Sequence, residues 1–241
     1  MPKVQIVVDD WKGFHNSNPK TRDRLVQGQT YRDLSTICVI PSRGVIPAKV
    51  VQNWLSLMPP MNQKFMRMFV IGMEVGEAYQ SALTQILSHP ELSTWKYLLT
   101  MEEDNLVPPD GLLKFYENIK EFDAIGGLYF TKGEGGQPMC YGDPRVMPKN
   151  FIPFMPNPNT VTRCNGLGMG FTLFKLAMFK DKRWEKQPFF KTVQQFEPGK
   201  GCTAFTQDLY FFNLAGAMGY RFGCDARVQI GHYDYNTNMI W

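Results

Sequence analysis

The chain has 241 residues, of which 44% are hydrophobic, and a formal net charge of +4. A chain of this length and composition can bury a full core and fits a single domain. The small positive excess would help to attract a phosphate-bearing small molecule, but the basic residues are scattered, which argues against a nucleic-acid-binding protein.

Cysteine usage and hydropathy indicate the compartment. The five cysteines form no Cys-x-x-Cys pair, so we expect reduced thiols and no zinc framework. The apolar run at the N-terminus is too short for a signal peptide, and no stretch approaches the roughly 18 apolar residues of a membrane span. These features predict a soluble protein of the cytoplasm.

Secondary structure follows from the spacing of apolar residues. Residues 1–35 are polar and show no period, so we expect an N-terminal extension. Over residues 36–130, apolar strands alternate with amphipathic helices, which predicts βαβ units and a mainly parallel sheet with helices on both faces. The predicted strands of this region are residues 36–40, 67–72, 97–101 and 123–130. Residues 36–241 are therefore expected to form one α/β domain.

The regular pattern stops between residues 131 and 160, where six prolines and four glycines fall within 30 residues. A loop of this length predicts a functional loop or a lid, with a surface insertion as the alternative. The Gly-x-Gly-x-Gly of residues 166–170 leads into a strand-like run that extends to residue 174, so a dinucleotide site is not expected there. Aromatic residues between 184 and 196 suit either a substrate platform or the packing of their own loop.

Acidic residues follow the third predicted strand directly. Glu102, Glu103 and Asp104 cannot be buried together unless a cation or hydrogen bonds compensate their charge. Ligands of α/β proteins collect at the carboxyl ends of the strands. The acidic cluster therefore predicts a metal site at this edge of the sheet.

Two distant residues suit the same chemistry. Asp208 precedes a predicted helix, and His232 follows the last predicted strand. A carboxylate and an imidazole on a hard divalent cation would leave positions open for two phosphate oxygens, and Asp208 could act as a general base. The alternatives are a helix-dipole role for Asp208, a structural role for His232 and a solvated or supporting role for Glu103.

The order and spacing of these elements resemble the GT-A glycosyltransferases, in particular the family-2-like enzymes of bacteria and phages. The resemblance covers residues 36 to about 234. The elements that carry it are Pro41-Ser42-Arg43, Glu102-Glu103-Asp104-Asn105 with Pro108-Pro109-Asp110, Gly126-Gly127-Leu128-Tyr129, Gly166-Leu167-Gly168-Met169-Gly170-Phe171, Thr206-Gln207-Asp208 and Gly231-His232.

The resemblance implies a GT-A fold, Mn²⁺ or Mg²⁺, and a UDP- or GDP-sugar as donor. Asp104 and His232 would contact the metal, and Glu102 would lie towards the donor ribose or the metal. Asp208 would take the proton of the acceptor. The remaining donor-binding residues that the resemblance implies are Pro41, Ser42, Arg43, Glu74, Glu103 and Gly168.

The chain also departs from the family pattern. Glu102 stands where Asp is usual, Tyr79-Gln80 stands where Arg-Asn is frequent, and Gln207 stands where an acid is common. We therefore expect a metal-dependent glycosyltransferase of the cytoplasm, that of the host if the chain is viral. The alternatives are a catalytically silent binding module and a sugar-nucleotide nucleotidyltransferase. The acceptor hydroxyl could belong to a glycan, a small molecule or a modified nucleic acid.

Overall fold

A computed structural model describes residues 5–10, 32–197 and 201–241 of the chain. They form an α/β domain around a mixed, mostly parallel sheet of eight strands. The strands are β1 (Gln5–Asp10), β2 (Thr36–Ser42), β3 (Phe65–Ile71), β4 (Tyr97–Met101), β5 (Asn105–Leu106), β6 (Ala124–Leu128), β7 (Cys140–Tyr141), β8 (Val161–Cys164), β9 (Gly166–Leu167), β10 (Phe171–Lys175), β11 (Val193–Glu197), β12 (Gly201–Phe205), β13 (Phe222–Gln229), β14 (Gly231–Asp234) and β15 (Met239–Ile240). The helices are α1 (Ala48–Trp54), α2 (Val75–Ser88), α3 (Gly111–Asn118) and α4 (Gln207–Ala217).

The central sheet has the strand order β1-β3-β2-β4-β10-β6-β13-β8. Strands β2, β3, β4, β6 and β13 run in one direction, whereas β1, β8 and β10 run in the other. Because β10 is antiparallel to β4, its first residue, Phe171, lies opposite the last residue of β4, Met101. The acids that follow β4 and the glycines that precede β10 therefore meet at one edge of the sheet.

The two faces of the sheet carry separate hydrophobic cores. In β2, Ile37 and Val39 belong to one core and Cys38 and Ile40 to the other, and all four are at most 1% exposed. Helices α2 and α4 pack on the first core, and α1 and α3 pack on the second. The prediction of an α/β domain with helices on both faces is confirmed.

Two features of the sheet differ from the expectation. Residues 5–10, within the segment expected to be an extension, form the edge strand β1 and pair with β3. The strand-like run expected after the glycines of residues 166–170 is present as β10, but residues 161–167 form two further short strands, β8 and β9. They are separate strands because β8 pairs with β13, β9 with β7, and β10 with β4 and β6.

The Pro- and Gly-rich residues 131–160 are tied to the rest of the domain at several points. Their strand β7 pairs with β9. The turn at residues 131–137 is closed by hydrogen bonds in both directions between Thr131 and Gln137, of 2.9 Å each. Whether this segment acts as a lid stays a prediction. No helix of the described residues has the length and apolarity of a membrane span.

Three cysteines from distant parts of the chain meet in the first core. Cys140, Cys164 and Cys224 are free and at most 3% exposed. The thiol of Cys140 is in hydrogen-bonding contact with the other two, and these contacts lower the pKa of Cys140 to about 5. Burial and the contact with Cys140 raise the pKa of Cys164. Spacing along the chain could not reveal this cluster, because strand pairing assembles it.

Candidate active site

A cleft of about 490 Å³ lies at the edge of the sheet where β2 and β4 end. Every residue that the resemblance assigned to the nucleotide, except Gly168, lines this cleft. Its lining consists of Pro41, Ser42, Arg43, Met73, Glu74, Val75, Glu102, Glu103, Asp104 and Lys132. The cleft forms here because parallel strands present their carboxyl ends together.

Glu103 joins the ends of β2 and β4. Its carboxylate accepts hydrogen bonds from the Ser42 hydroxyl at 2.8 Å, the Arg43 backbone N–H at 2.9 Å and Arg43 Nε at 2.5 Å. Glu103 is only 9% exposed, whereas the Arg43 side chain is 86% exposed. Glu103 therefore links the carboxyl ends of β2 and β4, while most of the Arg43 side chain stays exposed to solvent.

Asp104 and His232 converge as the sequence predicts. Nε2 of His232 lies 3.4 Å from Oδ2 of Asp104. Nδ1 of His232 lies 2.8 Å from the carbonyl oxygen of Phe130, to which it donates, because a carbonyl can only accept. The imidazole is therefore held in one orientation, with Nε2 turned towards the carboxylate.

Lys132 is a third partner of this pair, and sequence reasoning missed it. Its ammonium donates to Oδ2 of Asp104 at 2.6 Å. Burial alone would raise the pKa of Asp104, but its contacts with His232 and Lys132 outweigh burial and bring the pKa below its usual value. Asp104 is therefore ionised at neutral pH and already bonded to a cation.

The residues expected to bind a divalent cation were Asp104, His232 and Glu102. The first two can offer one ligand each to the same ion. Burial and the negative charges of Asp104 and Asp208 raise the pKa of Glu102 to about 8. Among the described residues, no group of three or more His, Cys, Asp or Glu side chains is arranged to hold a metal ion. The side chains present do not form a metal site by themselves.

Asp208 lies at the start of α4 and is 4% exposed. One carboxylate oxygen accepts hydrogen bonds from the Leu209 N–H at 2.9 Å and from the Thr206 hydroxyl. Burial raises the pKa of Asp208. Its charge raises the pKa of Glu102 and of Tyr129, so Asp208 lies within electrostatic range of the acidic cluster, although it is not part of the cleft wall.

Glu74 and Gln80 hold the segment of residues 189–192. Glu74 caps α2 by accepting from the N–H groups of Gly76 at 2.8 Å and Glu77 at 3.1 Å, and it also accepts from the Thr192 hydroxyl at 3.0 Å. Gln80 accepts from the Phe189 N–H at 2.7 Å. Gln80 is the second residue of Tyr79-Gln80, the pair that departs from the family pattern, and here it anchors a loop.

The aromatic residues near position 190 pack into the core. Trp184 and Phe190 are at most 4% exposed and stack on Phe211, with ring centroids 5.5 Å and 4.9 Å apart. Tyr79 packs against Phe190 at 5.6 Å. Of the two interpretations that the sequence left open, packing is the correct one for Trp184 and Phe190. The side chain of Phe196 lies outside the described residues.

Gly168 and Gly170 are required by close packing. A Cβ atom at Gly168 would collide with the hydroxyl of Tyr129, and one at Gly170 would collide with the side-chain amide of Asn105. The Tyr129 hydroxyl also accepts a hydrogen bond of 2.9 Å from the Gly170 N–H. The expected contact of Gly168 with the donor sugar stays a prediction.

A second cavity of about 350 Å³ adjoins the cleft. It shares Arg43, Glu103, Asp104 and Lys132 with the cleft. Its other lining residues are Val45, Pro47, Tyr233, Asp234, Tyr235 and Asn236. The residues from Tyr233 onwards directly follow His232 and the last predicted strand. Their position in the sequence could therefore have indicated that they lie near the site.

Comparison with known proteins identifies the fold. No family model matches the sequence. No curated protein matches it either. The crystal structure of A197 from STIV superposes with a TM-score of 0.58 at 18% identity, covering 86% of this chain and 92% of that one. The fold is GT-A-like.

Weaker likenesses occur to S. aureus TarS. TarS 1-349 in complex with UDP-GlcNAc gives a TM-score of 0.45 at 11% identity, with 81% of this chain and 58% of that chain covered. TarS 1-349 without that ligand gives 0.42 at 12% identity, with 81% and 60% covered. At such distances these two structures identify nothing about the chemistry of this chain.

Proposed function

We propose that this protein is a glycosyltransferase of the family-2-like type that moves a sugar from a UDP- or GDP-sugar to an acceptor hydroxyl in the cytoplasm. The observation that supports it best is the grouping of Pro41, Ser42, Arg43, Glu74 and the Glu102–Asp104 cluster around one cleft of a GT-A-like fold.

Each side chain of the cleft has a chemical part in this proposal. The exposed guanidinium of Arg43 would form hydrogen bonds with donor phosphates. The protonated carboxyl of Glu102 would donate a hydrogen bond to the ribose. Such fixed donors around the departing group stabilise charge as it develops.

Asp208 is the candidate general base. In the proposed step the acceptor oxygen forms a bond to the anomeric carbon, the bond from that carbon to the diphosphate breaks, and the hydroxyl proton passes to Asp208. Burial raises the pKa of Asp208 and makes its carboxylate a stronger proton acceptor at neutral pH. The step also requires Asp208, which is 4% exposed, to become accessible to the acceptor.

A divalent cation, Mn²⁺ or Mg²⁺, would add charge stabilisation at the diphosphate if bound. Asp104 and His232 are the side chains that could contact it. Because these two do not form a site by themselves, we assign no step to a metal.

Turnover tests the proposal. The protein is incubated with UDP-, GDP- and TDP-sugars, with Mn²⁺ and separately with EDTA, and released nucleoside diphosphate is measured. We expect slow hydrolysis of one donor in the absence of acceptor, and slower release from the Asp208→Asn variant. Nucleotide binding without release from any donor would instead support the catalytically silent binding module.

A further inference from the structure

Lys132 occupies a fixed position at the junction of the two cavities. It follows β6 on the turn that the hydrogen bonds between Thr131 and Gln137 close. Phe130, two residues before Lys132, accepts the hydrogen bond from His232. The backbone on either side of Lys132 is therefore tied down, and its side chain is only 33% exposed.

The ammonium of Lys132 is suited to contact an anion in the cleft. It lines both cavities and donates to Oδ2 of Asp104 at 2.6 Å. An ammonium has three N–H donors, so one bond to Asp104 leaves donors for other acceptors. Asp104 then serves to aim Lys132, while His232 contacts the same carboxylate.

The charges of the cleft show why an anion would need Lys132. Glu103 is paired with Arg43, and Glu74 is engaged at the N-terminus of α2. Asp104 is a charge of the cleft wall that would repel a diphosphate, and Lys132 is the cation bonded to it. A divalent ion on the same oxygen would meet the repulsion of this ammonium.

We propose that Lys132 is a catalytic residue that binds the diphosphate of the donor and of the departing nucleotide, in the place that the sequence pattern assigned to a divalent cation. This inference rests on the proposed function and names the cation of that same site. Binding of the nucleotide then does not depend on a metal, because the chain supplies the positive charge.

Calorimetry with UDP, GDP and inorganic diphosphate tests the inference, first in EDTA and then in Mn²⁺. The variants are Lys132→Gln, Lys132→Arg and the control Lys64→Gln. Lys64 forms an exposed ion pair with Glu91 and is not part of either cavity wall. Thermal unfolding of each variant verifies that it is folded.

We expect wild type to bind UDP or GDP in EDTA, with at most about a threefold change on adding Mn²⁺. Lys132→Gln should weaken that binding about 10- to 100-fold, as expected for the loss of a charged hydrogen bond. Lys132→Arg should stay within about fivefold of wild type, because it keeps the charge, and Lys64→Gln should match wild type. Binding that requires Mn²⁺ and is equal in wild type and Lys132→Gln would overturn the inference.

Failure of the proposed function gives a different result. If wild type binds neither UDP nor GDP in either condition, the nucleotide-sugar proposal fails. The binding of inorganic diphosphate then tests the role of Lys132 separately from the proposed function. Diphosphate binding in EDTA that Lys132→Gln abolishes supports Lys132 as a diphosphate ligand, and the absence of such binding overturns it.

Discussion

The carboxylate of Glu103, just after β4, accepts a hydrogen bond of 2.8 Å from the hydroxyl of Ser42, the last residue of β2. The same carboxylate accepts from the backbone and the guanidinium of Arg43. These hydrogen bonds compensate the burial of the Glu103 carboxylate, and the position of Arg43 depends on them.

Glu103→Gln should lower the free energy of unfolding by about 1.5–3 kcal/mol, because the amide replaces an ionised acceptor and turns a donor towards Arg43. Urea denaturation measures the change. Glu117→Gln is the control: Glu117 is 57% exposed in its ion pair with Arg227, and such pairs contribute about 0–1 kcal/mol. Equal losses in the two variants would show that Glu103 is only a surface charge.

Asp208→Asn should lower the rate of sugar transfer about 10²- to 10⁴-fold, the range for loss of a general base, and leave nucleotide affinity unchanged. The amide keeps the shape of a side chain that accepts from Leu209 N–H. Steady-state kinetics and calorimetry measure the two quantities. Asp123→Asn, which affects an ion pair with Lys175, is the control. An unchanged rate would exclude Asp208 as the base.

Glu102→Gln should change how stability depends on pH. The folded protein raises the pKa of Glu102 from 4.5 to about 8, so it binds more protons than the unfolded chain between these values. The contribution of Glu102 to the free energy of unfolding is therefore fully present below about pH 4.5 and is lost as pH rises through about 8.

The difference in unfolding free energy between wild type and Glu102→Gln isolates this contribution, since other titrating groups largely cancel. Urea titrations at about pH 5 and about pH 9 should show wild type losing stability relative to the variant as pH rises. Parallel pH profiles would mean that Glu102 is not held protonated.

Gly168→Ala should destabilise the protein by about 1–3 kcal/mol, because the added methyl group meets the hydroxyl of Tyr129. Gly76→Ala is the matched control. Its Cβ would have its nearest neighbours at 3.1 Å, and alanine is favoured over glycine in a helix, so we expect a change within about 1 kcal/mol. Both values come from thermal or urea unfolding. A neutral Gly168→Ala would argue that residues 166–170 are mobile enough to open.

The parts of the fold that could be predicted are those encoded locally. The alternation of apolar strands and amphipathic helices over residues 36–130 predicts the strands, the helices and their placement on both faces. The direction of β10 could not be predicted, because Phe171 to Phe174 are buried on both faces whichever way the strand runs. The pairing of β1 was also hidden, since partners in a sheet are chosen by contacts remote in sequence.

The residues of the candidate site also divide into those that the sequence predicts and those that only the structure shows. The acids after β4 were found because the ends of parallel strands meet at one edge of a sheet. Lys132 was missed because it lies in a segment without periodicity, and nothing in its neighbours marks it as a partner of Asp104. The anchoring role of Gln80 depends on the backbone of Phe189, which is far away in the chain. The sequence shows that position 80 departs from the family pattern, but it does not show the contact with Phe189 that the residue makes.

The cysteine cluster described above provides an internal probe of local opening. Cys140 belongs to the segment between β6 and β8, whereas Cys164 and Cys224 lie in the sheet, and all three are buried in the first core, so a thiol reagent reaches them only when that side of the domain opens. Cys38 is buried in the opposite core and responds to a different opening. The labelling rates of these thiols, compared with and without nucleotide, would therefore report how far each side of the domain loosens during a binding cycle.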